Sequence, residues 1–248
     1  MARASLSWAW FHRLASPPAF YRLTDRWAPW LAIASTLLIG YGLVGGLVLA
    51  PADYQQGEAF RIIYVHVPAA WLSLFGYSAM ASAAFVAIVW RIRLAECVVV
   101  CTAPVGASFT ALALVTGMLW GKPMWGTWWE WDPRLTSFLI LLLFYLGYMA
   151  LWSAIENPDN AADLTGVMCL VGSVFAFLSR YAAHFWNQGL HQGSTISVAP
   201  GDRISSVYSY PLYLCMLGFF LLFVALALLF LGAGRCCVRA IFRRHAIT

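Results

Sequence analysis

The sequence predicts an all-α integral membrane protein that crosses a bilayer about six times. Of its 248 residues, 62% are hydrophobic and only 10% are charged, whereas soluble globular domains carry about 25% charged residues. Six long stretches contain no charged residue, and most exceed the roughly 20 apolar residues that span about 30 Å of hydrocarbon as a helix. This composition excludes a water-soluble globular fold, and residues 1–248 are interpreted as a single six-helix membrane domain.

The six charge-free stretches are the predicted transmembrane helices. They comprise residues 27–52, 62–90, 97–121, 135–155, 164–179 and 204–234. The first follows a polar segment with four arginines and is interpreted as an uncleaved anchor. The fifth is short, so its helix is expected to begin near Ala161 and to continue past Arg180, whose guanidinium can reach the interface. Gly42 and Gly46 form a GxxxG spacing, which favours close packing against a neighbouring helix.

The distribution of positive charge predicts the orientation of the chain. With both termini cytoplasmic, ten of the fifteen lysines and arginines lie on the inner side, as the positive-inside rule requires. The net charge of +5 is therefore a topology signal and gives no reason to predict nucleic-acid binding. All six cysteines fall in spans or inner segments, so no disulfide framework is predicted. The basic residues on the outer side are Arg61, Lys122, Arg134, Arg180 and Arg203.

The most unusual segment is a predicted outer loop over residues 120–134, which is rich in tryptophan. An aromatic belt at the membrane interface explains isolated tryptophans, but this cluster makes a larger apolar surface than anchoring needs. Such a surface suits a planar hydrophobic ligand, because indole faces stack on extended π-systems. Asp132 followed by Pro133 predicts a helix start, and Glu130 is interpreted as a solvated carboxylate. The clustered tryptophans are Trp120, Trp125, Trp128, Trp129 and Trp131.

Three histidines fall on the predicted outer side. His66 precedes Pro68, which is expected to open the second helix and to leave His66 just outside its N-terminus. His184 and His191 lie in the third outer segment. Each histidine alone is most simply a hydrogen-bonding interfacial residue, but two imidazoles from different loops beside an aromatic surface suit bis-axial haem ligation. Arginines on the same side are candidates for binding haem propionates, with interfacial anchoring equally open. They are Arg61, Arg134, Arg180 and Arg203.

The segments WGTWWEWDPRLT, YVHVPAAW and LHQGS resemble the signature segments of a known family. This is the haem exporter protein C family of the cytochrome c maturation system, within the wider haem-handling proteins that share a tryptophan-rich WWD motif. The resemblance covers most of the chain and implies a haem b site at the periplasmic face, with His66 and His191 as axial ligands of the iron. His184 has no counterpart in the family pattern, which leaves the second ligand open. The residues implied for the aromatic platform are Trp120, Trp125, Trp128, Trp129, Trp131 and Asp132.

The same resemblance implies a location and partners. The family is found in the bacterial inner membrane and presents haem to a periplasmic haem chaperone, which becomes covalently attached to it. The further partners implied are a small single-span membrane protein and the membrane and ATPase subunits of an ABC transporter. Haem capture and delivery, without catalysis, is therefore the expected role. Three alternatives stay open: a haem lyase that attaches haem directly to apocytochrome, a transport channel for haem, and a scaffold that binds no ligand.

Overall fold

The computed structural model describes the backbone of residues 17–185 and 204–233, and the side chains of residues 24–157, 159–181 and 204–231. Within these ranges six α-helices are long and apolar enough to cross a membrane, and no β-strand occurs. The prediction of an all-α protein with six spans is confirmed. The helices are α1 (Pro17–Val44), α2 (Ile63–Trp90), α3 (Arg93–Trp125), α4 (Pro133–Ala154), α5 (Pro158–Phe185) and α6 (Ser206–Ala233).

Helices α2 and α3 form the centre of the bundle. They pack against each other, and in addition α2 contacts α5 and α6 while α3 contacts α4 and α6. Helix α1 packs mainly against α6 and buries the smallest share of any span, whereas α3 buries the largest. Side chains at the ends of α2 and α3 are therefore positioned by the most buried part of the fold.

Small residues allow α1 to approach its neighbours closely. A Cβ atom at Gly42 would lie 2.7 Å from Cys215 Sγ on α6, and one at Gly46 would overlap the aromatic ring of Tyr64 on α2. The backbone changes to a π-helical turn, Gly45–Leu49, where it reaches Tyr64. The GxxxG prediction of close packing is confirmed, and each glycine of the pair faces a different helix.

The start of α2 differs from the sequence expectation. A 3-10 turn, Glu58–Ile62, leads directly into α2 at Ile63, so that His66 is helical and Pro68 lies inside the helix. The prediction that Pro68 opens this helix is wrong. Proline forfeits one hydrogen bond, to the Tyr64 carbonyl four residues earlier, whereas starting the helix later would leave more backbone groups unpaired near the hydrocarbon.

Helix α3 extends beyond its charge-free stretch at the tryptophan-rich end. It continues through Lys122 to Trp125, so both Trp120 and Trp125 lie on its last two turns. Gly126 caps the helix end, with a φ of 78° and a backbone N–H that donates to the Lys122 carbonyl at 3.1 Å. The non-helical part of the predicted outer loop is therefore confined to residues 126–132.

The start of α5 is tied to the turn between α2 and α3. An ion pair joins Arg91 to Asp163, and a second joins Arg93 to Asp159 at 3.6 Å. Helix α5 then continues past Arg180, so the expected extension of the short fifth stretch at both ends is confirmed. These ion pairs lie at the end of the bundle opposite the tryptophan-rich turn, and they join α5 to the turn between α2 and α3.

Candidate functional site

His66 lies on α2 at the tryptophan-rich end of the bundle, partly buried against α3. Its Nδ1 is 3.0 Å from Thr116 Oγ1 on α3. Its ring stands edge-on to Trp120, with centroids 5.5 Å apart and an interplanar angle of 77°. A Cβ atom at Gly117 would lie 3.2 Å from the imidazole Cε1. One face of α3 therefore holds the imidazole on several sides.

Trp120 is held in turn by the loop between α1 and α2. Its Nε1 donates to Gln56 Oε1 at 2.9 Å. Gln56 is itself positioned by Asp53, whose Oδ1 accepts hydrogen bonds from the backbone N–H groups of Gln55 and Gln56, both at 2.9 Å. Because the indole is fixed by the loop on one side and packs on His66 on the other, Trp120 forms a wall of the histidine site.

The turn between α3 and α4 is ordered by Lys122. Its Nζ donates to the Gly126 carbonyl at 2.9 Å and lies 5.8 Å from the ring centroid of Trp128, a cation–π contact that orients this indole. Trp125 folds back over Gly121, where a Cβ atom would lie 2.9 Å from the indole. The absence of a side chain at Gly121 thus allows Trp125 to lie against the end of α3.

The clustered tryptophans differ in exposure and orientation. Trp128 is 50% exposed and Trp131 is 75% exposed. Trp129 and Trp131 are nearly perpendicular, with centroids 5.4 Å apart and an interplanar angle of 77°. Trp120 instead faces His66. The structure therefore divides the predicted platform into one indole beside the histidine and an uneven apolar surface formed by the exposed indoles of the turn.

Asp132 and Arg134 begin α4 directly after this turn. Asp132 is 3% exposed, and its Oδ1 accepts a hydrogen bond from the Leu135 N–H at 2.6 Å, with Pro133 at the first helical position. The predicted cap is therefore confirmed. Arg134 is partly buried and lies within electrostatic reach of both Asp132 and Arg180 of α5. Arg134 thus lies near both a buried carboxylate and a second guanidinium group.

Arg61 is engaged in holding the loop between α1 and α2. Its Nη1 donates to the Gly46 carbonyl at 2.9 Å, and its Nε forms an ion pair with Glu58. These contacts tie the π-helical end of α1 to the 3-10 turn before α2. Two of the donor nitrogens of Arg61 are therefore directed at protein groups.

Two predicted site residues, His191 and Arg203, lie outside the described residues. His184 is on the last turn of α5, and its side chain is also outside the described part of the chain. Both axial ligands, His66 and His191, therefore stay predictions. The structure supplies the geometry of the first histidine and of the tryptophan-rich turn.

Sequence reasoning did not find Thr116 or Gln56. Thr116 precedes Trp120 by four residues, so helical spacing places both on one face of α3, but it does not show that this face meets His66. Nothing in the sequence marks Gln56, because its contact with Trp120 depends on how the loop between α1 and α2 folds over the end of α3.

The groups at this end of the bundle fit the parts of a haem. An imidazole suits an axial position of the iron, exposed indoles suit the faces of the porphyrin, and neighbouring guanidinium groups suit its carboxylates. In this chain those groups are His66, Trp128 and Trp131, and Arg134 with Arg180. These residues therefore match a haem in their chemistry and in their location at the same end of the bundle.

Comparison with known proteins agrees with this picture. The profile of the family described as "Heme exporter protein C" matches residues 10–241. Relatives that carry that name include a Paracoccus denitrificans protein, 57% identical over 87% of this chain and 89% of its own length. A Rhodobacter capsulatus relative is 55% identical over the same shares. One from Escherichia coli K12 is 46% identical over 90% of this chain and 89% of its own. The chain belongs to the heme exporter protein C family.

Proposed function

We propose that this chain binds haem b at the periplasmic end of its bundle and delivers it to a periplasmic haem chaperone during c-type cytochrome biogenesis. Membership of the heme exporter protein C family supports a role in haem handling. The observation that carries the proposal is the partly exposed imidazole of His66, held by Thr116 and Trp120 next to the tryptophan-rich turn. A metal-ligating group and an aromatic surface are thus combined at one end of the molecule.

In this proposal His66 and His191 are the two axial ligands of the haem iron. Two imidazoles on opposite faces of the porphyrin favour a low-spin iron. The porphyrin is cargo in this reaction, and exchange of these ligands releases it. The chain itself forms no covalent bond to haem, so its role is binding and delivery without catalysis.

The exposed indoles are proposed to hold the porphyrin by its faces. Trp128 and Trp131 have enough free surface to contact a planar ligand. A well-oriented aromatic pair contributes about 1 kcal/mol beyond the apolar area that it buries. Because the indoles belong to a turn at the end of the bundle, a porphyrin bound there keeps an edge that a chaperone can reach.

Arg134 and Arg180 are proposed to bind the propionates. The two guanidinium groups lie within electrostatic reach of each other, so a pair of carboxylates could accept charge-assisted hydrogen bonds from both. Arg61 is the weaker candidate, because its Nη1 and Nε already contact Gly46 and Glu58.

We further propose that both termini are cytoplasmic and that the chain works within a larger assembly in the bacterial inner membrane. The six apolar helices support a multi-pass membrane location. The name of its relatives describes one component of a heme exporter, which supports an assembly of several chains. The partners proposed are the membrane and ATPase subunits of an ABC transporter and a small single-span membrane protein.

A haem-transfer assay tests delivery. Membranes that contain the assembled complex are loaded with haem and mixed with the haem-free chaperone, and covalent haem on the chaperone is measured on denaturing gels. We expect the chaperone to acquire haem, and His66→Ala to reduce the yield strongly. Equal transfer from His66→Ala membranes would contradict the proposal.

The same membranes mixed with apocytochrome alone distinguish delivery from lyase activity. Delivery predicts no covalent haem on apocytochrome when the chaperone is omitted, because this chain forms no thioether bond. Attachment in the absence of the chaperone would favour the haem lyase alternative. In sealed vesicles, transfer of haem to the chaperone only when haem is supplied on the cytoplasmic side would instead favour the channel alternative.

A further inference from the structure

We infer that Thr116 is a positioning residue for haem binding, because its hydroxyl fixes His66 in the tautomer that carries hydrogen on Nδ1 and presents Nε2 to the iron. The expected effect on haem binding rests on the proposed function, whereas the tautomer of His66 is inferred from the hydrogen bonds of α3. Thr116 itself touches neither iron nor porphyrin in this account, and acts through His66.

The hydroxyl hydrogen of Thr116 is directed at the backbone of its own helix. Its Oγ1 lies 2.7 Å from the Leu112 carbonyl oxygen and 3.2 Å from the Ala113 carbonyl oxygen. A hydroxyl has one hydrogen to donate, and a carbonyl oxygen only accepts. The hydrogen of Thr116 is therefore used in these contacts, and its oxygen lone pairs remain to accept a hydrogen bond.

This assignment determines the direction of the hydrogen bond to His66. The distance between Nδ1 and Thr116 Oγ1 is 3.0 Å, and since the threonine oxygen is the acceptor, Nδ1 must be the donor. When the imidazole is neutral it carries hydrogen on one nitrogen only, and with that hydrogen on Nδ1 the lone pair lies on Nε2. That is the form of histidine that ligates a metal through Nε2, with its other nitrogen hydrogen-bonded to a group around the site.

The acceptor is held rigidly. Thr116 is 7% exposed and belongs to α3, the most buried span. Gly117 brings the backbone of the same helix against the imidazole, and Trp120 closes another side. Rotation of the ring is limited by three residues of α3, so the histidine is oriented before any ligand arrives.

Loss of the hydroxyl is expected to weaken haem binding. Removal of a hydrogen-bonding partner behind a metal ligand typically costs about 10–100-fold in metal affinity. We expect Thr116→Val to lower haem affinity by at least about tenfold, since valine keeps the branched shape and lacks the acceptor. Thr116→Ser restores an acceptor and is expected to recover most of the affinity.

Thr110→Val provides a matched control on the same helix. Thr110 is buried, and its hydroxyl donates to the Gly106 carbonyl at 2.7 Å, as a helical threonine commonly does. The substitution removes a comparable hydroxyl at a position away from His66. We expect it to leave haem affinity and the state of His66 unchanged.

The test has a readout that needs no haem. Protein labelled with ¹⁵N-histidine is reconstituted without haem, and the ¹⁵N spectrum, assigned with His66→Ala, reports which ring nitrogen of His66 carries hydrogen. We expect hydrogen on Nδ1 in the wild type, Thr116→Ser and Thr110→Val, and a mixture of both tautomers in Thr116→Val. Haem titration of the same four proteins gives the affinities.

The possible outcomes separate this inference from the proposed function. Hydrogen on Nε2 of wild-type His66 would overturn the inference even if Thr116→Val failed to fold. An unchanged tautomer and unchanged haem affinity in Thr116→Val would also overturn the inference. The proposed function would still stand in that case, provided that haem binding by the wild type depends on His66. Hydrogen on Nδ1 in a wild-type protein that bound no haem would support the hydrogen-bond geometry and contradict the proposed function.

Discussion

Asp132 links the tryptophan-rich turn to α4 by capping the helix with its own side chain. Its Oδ1 accepts the Leu135 N–H, and the residue is almost fully buried. We expect Asp132→Ala to lower the free energy of unfolding by about 1–2 kcal/mol, because the cap is lost. Asp132→Asn keeps a capping oxygen and should cost less. Thermal unfolding of haem-free protein in detergent measures both, and equal stability of Asp132→Ala and the wild type would contradict this role.

Arg134 tests the assignment of the propionate contacts. A hydrogen bond to a charged group contributes about 1.5–3 kcal/mol, so Arg134→Gln should weaken haem binding about tenfold or more. Arg61→Gln should change the affinity less and lower the stability of the haem-free protein, since Arg61 holds Gly46 and Glu58. Haem titration and thermal unfolding separate the two effects.

A haem analogue with esterified propionates sharpens that test. It lacks the carboxylate charges, so the difference between wild type and Arg134→Gln should disappear when this analogue is titrated. A tenfold difference that persisted with the esterified haem would show that Arg134 acts on folding and does not bind propionates.

At the residue scale, the features that could be predicted were local ones. The Asp132 cap depends on residues adjacent in sequence, so its pattern is readable. The contact of His66 with Thr116 joins residues 50 positions apart and depends on how α2 and α3 pack. A single sequence does not contain that register, which is why the histidine was found and the residue behind it was missed.

At the scale of elements, α1 depends on the glycine that faces Tyr64. Any side chain at Gly46 overlaps the Tyr64 ring, whereas a Cβ atom at Gly40 meets nothing within 4 Å. We expect Gly46→Ala to destabilise the protein by about 1–3 kcal/mol, as overpacking does, and Gly40→Ala to be neutral or slightly stabilising. Unfolding in detergent compares the two, and equal stability of both variants would contradict the packing account.

The number and order of the helices could be predicted because length and apolarity alone determine which segments cross a bilayer. Their ends could not. Pro68 and Lys122 are residues that suggest a boundary, yet α2 begins before the first and α3 continues beyond the second. Near the hydrocarbon, keeping backbone groups paired outweighs the local preference of one proline or one charge.

At the scale of the whole molecule, the proposed orientation rests on the distribution of positive charge. We expect Gln55→Cys, placed between α1 and α2, to react with a membrane-impermeant thiol reagent in intact spheroplasts when the native cysteines are replaced. Glu156→Cys, between α4 and α5, should react only after lysis. The reverse pattern would place the tryptophan-rich end in the cytoplasm and contradict the proposed site of haem delivery.

The packing of the bundle explains why the candidate site residues lie together at one end of the molecule. Ion pairs of Arg91 and Arg93 with α5 close the opposite end, and the central helices α2 and α3 bring His66 and Trp120 together at this one. The sequence predicted this grouping in outline, since the histidine and the tryptophans were assigned to one side from topology alone.

Visible spectroscopy of haem-loaded, detergent-purified protein tests the central claim most directly. Wild type, His66→Ala, His191→Ala, the double variant and the control His184→Ala are compared in oxidised and reduced form. We predict a low-spin haem spectrum that is weakened in each of the first two variants, lost in the double variant and retained in the control. A low-spin spectrum that survived in the double variant, or wild-type protein that bound no haem, would contradict the account.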